Sequence, residues 1–169
     1  MSKLGLLALG LLAMSKAPMT VPFQVVDRGI HSGIPRRIAL LATTPEVWHQ
    51  LFRRIHKNQM PLPVPPEPTK SEPGVFVYIG TGTRNTAGYA LQVDRVEMKK
   101  GTFTVYATET CPAEGSALLP VLTQPYVVVF LPWDAPGVTP RVEVVLQPCG
   151  SNSPDTLKAI AFEQWTATE

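Results

Sequence analysis

Six of the residues in positions 60–73 are proline (MPLPVPPEPTKSEP), so neither an α-helix nor a central β-strand can pass through that stretch. A proline lacks the backbone N–H that a helix turn or a strand ladder needs, and it holds φ near −65°. The stretch therefore reads as an extended, polyproline-like connector. It separates an N-terminal portion, 18–59, from a β-forming portion, 74–148, with 149–169 as a C-terminal tail.

Beyond the connector come five apolar segments: VFVYIGT (75–81), TAGYALQVDRVEM (86–98), TFTVYATET (102–110), YVVVFLP (126–132) and RVEVVLQP (141–148). Tyr89, Leu91 and Val93 alternate with more polar neighbours, as a half-buried strand requires. The MKKGT sequence after Val96 reads as a hairpin turn, with Gly101 placed to accept positive φ. Strands at intervals of roughly ten residues, joined by Gly/Pro turns, predict a mainly β protein built as an antiparallel sandwich or small barrel.

Two further strands are expected before the connector, VPFQVVD (21–27) and RIALLA (37–42). One N-terminal helix follows. Thr44 is its cap, Pro45 its first residue and Glu46 lies in its first turn; Val47, Leu51 and Ile55 recur every four residues with Trp48 and Phe52 beside them. Arg53, Arg54, His56 and Lys57 place positive charge where the helix dipole is negative. In the tail, TLKAIAFEQW satisfies a helical and a strand pattern equally well.

At 169 residues the chain holds one domain with appendages. A formal charge of +2 and the lack of any Lys/Arg run interleaved with aromatics exclude a nucleic-acid surface. Lys3, the apolar run 4–14, then Ser15 and Ala17 follow the three-region pattern of a secretory signal over 1–17, although Pro18 is a poor residue after a cleavage site. The run is too short for a membrane span, and the alternative is that it forms a buried element of the fold. The expectation is an exported protein of the periplasm, cell envelope or extracellular space. In such a compartment Cys111 and Cys149 either form one disulfide, closing a loop of about 40 residues, or stay unlinked.

The residues that chemistry needs are not assembled in the sequence. There is no G-x-S-x-G, and neither cysteine stands at a helix start. His49 and His56 are seven apart on the helix, about 10 Å, too far to share a metal, and read as solvated histidines beside an apolar seam. His31, among Arg28, Arg36 and Arg37, reads as a solvated loop residue. The acidic residues Asp27, Glu46, Glu67, Glu72, Asp94 and Glu97 are scattered, and GTGTRNTAG lacks the G-K-[ST] of a phosphate loop. The chain is read as a non-enzyme with no cofactor and no metal.

From Val75 to about Leu131 the sequence resembles the C-terminal domain of the PrcB family, accessory subunits of bacterial secreted or surface protease complexes. The features that carry the resemblance are the strand ending at Gly80, T-x-G-Y at Thr86, Ala87, Gly88 and Tyr89, the strand pair through Val93, Val96 and Val105, P-x-x-G at Pro112 and Gly115, and T-x-P-Y at Thr123 and Tyr126. Ala87 stands where the family usually has a glycine, so a need for positive φ there would distort the turn. The resemblance implies a non-catalytic β-domain that binds and stabilises a partner, with a protease as that partner. Tyr89 is expected in the sheet interior. The proline-rich connector and the turn of Arg84, Asn85, Thr86 and Ala87 are the expected contact surfaces. An alternative similarity, to chagasin-type inhibitors of cysteine proteases, rests on Asn85–Tyr89 and on Pro132 and Trp133, with Leu131 in place of an arginine. A third reading is an unrelated envelope binding module.

Overall fold

A computed structural model describes residues 17–69 and 72–169, so the apolar run 4–14 of the expected signal lies outside the described residues. Two five-stranded sheets pack face to face as a sandwich. The first has the order β1 (Met19–Thr20), β5 (Ala90–Lys99), β6 (Thr102–Thr110), β8 (Arg141–Gln147), β9 (Asp155–Lys158). The second has the order β10 (Ile160–Ala161), β3 (Arg37–Ala42), β4 (Gly74–Thr81), β7 (Tyr126–Pro132), β2 (Gln24–Gly29). Helices α1 (Pro45–Ile55) and α2 (Phe162–Thr166) cover the outer face of the second sheet.

The strands' composition follows from these layers. The first sheet has one wet face, so β6 alternates: Phe103, Val105 and Ala107 point inward while Thr104, Tyr106 and Thr108 are half-exposed. The second sheet is covered on both faces, so β4 and β7 read as continuous apolar runs. Val75, Val77, Ile79, Val127, Val129 and Leu131 face the first sheet, and Phe76, Tyr78, Val128 and Phe130 face the helices. On α1, the face carrying Val47, Trp48, Leu51, Phe52 and Ile55 is buried against that outer surface, with the Trp48 ring stacked on Phe76 at 4.7 Å. Thr44 caps the helix, its Oγ1 accepting the Val47 N–H at 3.2 Å.

Most pairings are antiparallel, but β6–β8 and β10–β3 run parallel. The chain leaves β6, crosses to β7 in the other sheet and returns to β8, which a single-sheet meander would not do. The β5–β6 hairpin turns on Lys100 and Gly101, both at positive φ (49° and 75°), the geometry that matches the right-handed strand twist.

The N-terminal strands and the tail are not appendages: β2 and β3 belong to the same sheet as β4 and β7, and β9 completes the first sheet. The strand expected from Val21 starts at Gln24, because residues 21–23 carry the chain between sheets: the Val21 N–H donates to Val96 O before β2 begins in the second sheet. The tail combines both expected states, pairing as β9 and β10 and then closing as α2, whose Phe162 and Trp165 are buried against the helix layer. The proline-rich stretch is extended and works as a strap across α1. Pro66 O accepts the Trp48 indole N–H at 3.1 Å, His49 meets Glu67 at 3.0 Å, and Thr69 donates to Gln24 Oε1 at 3.0 Å.

Candidate functional site: a braced loop cluster at one end of the sandwich

Strands β4, β6 and β8 end, and β3 and β7 begin, at the same end of the sandwich, so loops 30–36, 82–89, 111–125 and 148–154 gather there. The cluster is organised around Glu109. Its place on β6 continues the inward series Phe103, Val105, Ala107, and its side chain is fully enclosed. Arg84 Nε and Nη2 donate to its two oxygens at 2.7 and 2.5 Å, and the Cys149 backbone N–H donates to Oε2 at 3.0 Å. This two-point pair raises the Arg84 pKa. The Arg84 guanidinium also lies 5.3 Å from the Tyr89 ring centroid. Tyr89 therefore does not enter the sheet interior as expected; it is half-buried in the loop, beneath the cation it helps to hold.

Cys111 and Cys149 are disulfide-bonded, with Cα atoms 5.2 Å apart, immediately beyond β6 and β8. Arg84 and Thr123 exchange backbone hydrogen bonds of 2.8 and 2.9 Å, Thr123 Oγ1 donates to Thr86 O at 3.0 Å, and Ala87 N–H donates to Leu119 O at 3.1 Å. The turn needs its glycine at Gly88, where φ is +99° and a Cβ would lie 2.9 Å from Pro112 Cβ. Ala87 is not among the residues with positive φ, so the departure at that position does not distort the turn.

Held by these ties, Leu118, Leu119, Val121 and Leu122 stand in solvent at 42%, 69%, 43% and 60% exposure. Four adjacent apolar side chains exposed on one anchored loop form a patch of the kind that marks a protein contact. Sequence reading passed over them: SALLPVL has neither strand nor helix period, and exposure is not written in it. Asn85 is exposed beside Arg84. Trp133 does not join this surface. It follows Pro132 at the far end of β7, roughly 20 Å away at about 3.4 Å per residue, with its ring against Phe103 and its Nε1–H on Val138 O at 2.8 Å.

The histidines do not build a reaction centre; His31 and His49 are solvated as expected, and His56 is not. His49 is partly exposed beside Glu67. His56 is buried at 6% exposure, with Nε2 2.7 Å from Asp27 Oδ2, and the Tyr126 hydroxyl donates to the same oxygen at 3.2 Å. Spacing from Phe52 rather than from His49 would have revealed this: four residues on, His56 continues the buried stripe, and the two rings are 4.2 Å apart. Burial and then Asp27 push the Tyr126 phenol well above its usual range, and burial does the same to Tyr78. Ser32 Oγ hydrogen-bonds to the Tyr78 hydroxyl and accepts the Ile34 N–H, so it is not presented to His56 as a nucleophile. Among the described residues no group of three or more His, Cys, Asp or Glu is placed to hold a metal, and no helix is long and apolar enough to cross a membrane.

Residues 75–132 match the family model described as PrcB C-terminal. The matched segment runs from β4 to the end of β7 and contains Arg84, Glu109 and the leucine loop, in agreement with the resemblance read from Thr86–Tyr89 and Thr123–Tyr126. No curated protein and no solved structure matches the chain.

Proposed function

We propose that this protein is a non-catalytic, exported accessory protein that binds and stabilises a partner protein, with a secreted or surface protease as the partner. The observation that carries the reading is the exposed run Leu118, Leu119, Val121 and Leu122 on a loop held from three directions, within the segment that matches PrcB C-terminal. A preorganised apolar loop loses little freedom on binding, so most of the apolar area it buries counts towards affinity. The accessory role of the PrcB family supports the protease as partner, and the Cys111–Cys149 bond supports an oxidising compartment.

The inhibitor reading needs the Asn85–Tyr89 loop and the Trp133 loop to enter one cleft together. Their positions at opposite ends of β7 argue against it.

A tagged full-length chain recovered from its native envelope is expected to carry a protease with it, and that protease is expected to turn over faster in cells lacking the chain. A Leu119→Asp/Leu122→Asp double variant is expected to fold normally and lose the protease. Recovery of no protease, or a protease lifetime indifferent to the chain, would sink the proposal.

A further inference from the structure

At the opposite end of the sandwich, an open groove of about 820 Å3 runs between the proline-rich strap and the β7–β8 loop, a volume suited to a bound ligand. Phe76 and Phe130 of the second sheet underlie it, and the half-buried Trp133 forms one side. Glu67, Glu72 and Asp134 stand on its rim, all three exposed, and no Lys, Arg or His is among the described residues that line it. As formed by the described residues, the groove is thus apolar below and negative above.

Hydrogen bonds within the chain tie its walls together. Trp133 N–H donates to Pro73 O at 3.0 Å, its indole donates to Val138 O at 2.8 Å, and the strap is tied to α1 through Pro66 and Glu67. Helix α1 begins at this end, but it does not turn the groove into an anion site. Pro45 has no N–H to offer, Thr44 takes up the Val47 N–H, and Glu46 lies in the first turn.

We infer that this groove binds an extended segment of a partner protein in which an apolar side chain is flanked by Lys or Arg. The apolar side chain would rest against Trp133 and the floor, and the cations would face Glu72 and Asp134, because Glu67 is shared with His49. The open side lets a polypeptide pass along the groove. The site lies at the other end of the molecule from the leucine loop, so either surface can fail without the other.

The test uses the full-length chain and two fluorescein-labelled peptides, one of three Leu-Lys-Pro repeats and one of three Leu-Glu-Pro repeats, read by fluorescence anisotropy. The Lys peptide is expected to bind saturably and at least about ten-fold more tightly than the Glu peptide. Glu72→Lys/Asp134→Lys is expected to lose at least about ten-fold in affinity for the Lys peptide at an unchanged unfolding midpoint, both side chains being exposed. Leu119→Asp should bind as the wild type does. Amide NMR shifts should concentrate at Gly74 and Gly137. No saturable binding of the Lys peptide, equal binding of the two peptides, an unaffected charge-reversal variant, or shifts gathered at Ala87 and Leu119 would each overturn the inference.

Discussion

The Arg84 guanidinium closes on the carboxylate of Glu109 with two hydrogen bonds, and the two residues differ in burial: the Glu109 side chain is wholly enclosed while that of Arg84 is 24% exposed. Removing one partner is therefore unlike removing the other. Arg84→Ala leaves an enclosed carboxylate with only the Cys149 N–H, and the expected cost is about 3 kcal/mol. Glu109→Gln leaves a cation that can turn towards water and is expected to cost clearly less. Urea unfolding of the two variants checks the order; equal midpoints would show that the pair is not the brace described.

The disulfide joins residues 38 apart in sequence. In the chain-entropy account, closing such a loop in the unfolded state stabilises the fold by about 4 kcal/mol. The Cys111→Ser/Cys149→Ser variant is expected to unfold at lower urea, and reductant should shift the wild type to the same midpoint while leaving the variant unmoved.

Gly88 and Ala87 make a paired test of the turn. Gly88→Ala forces a side chain into φ +99° and against Pro112, and is expected to cost more than about 1 kcal/mol. Ala87→Gly restores the residue the family usually has at a position that does not need positive φ, and is expected to lower stability by less than about 1 kcal/mol through the freer unfolded chain. Thermal unfolding separates the two, and partner recovery should fall only for Gly88→Ala.

Tyr78 and Tyr126 titrate above their ordinary value of 10.0 in the folded state, chiefly through burial. In the unfolded chain they lose their protons at that ordinary value, so above it the folded state holds more protons than the unfolded one. Their contribution to stability is complete below pH 10 and is lost as the pH climbs from there towards their folded pKa values. Urea unfolding between pH 8 and 11.5 should show a falling midpoint above pH 10. Tyr126→Phe, which starts less stable for want of its bond to Asp27, should fall less steeply.

What the sequence determined by itself was local. Proline chemistry set residues 60–69 as an extended strap, the Thr44–Pro45 start and four-residue spacing set α1, and the alternation of Phe103, Val105 and Ala107 set β6. It also carried the resemblance through Thr86–Tyr89, because turn glycines and strand periods are properties of neighbouring residues. Even so, two local signals went unread: Glu109 sits at an inward position of an alternating strand, and His56 continues the stripe from Phe52. Only the tertiary structure decided what meets what. Residues 21–23 switch sheets, β6 and β8 pair directly in parallel although β7, in the other sheet, separates them in sequence, and β7 places Trp133 far from the loop of Arg84 and Leu119. A strand's length and direction set which end of a sheet each loop occupies. That depends on pairings between residues far apart in the chain, which no local period encodes.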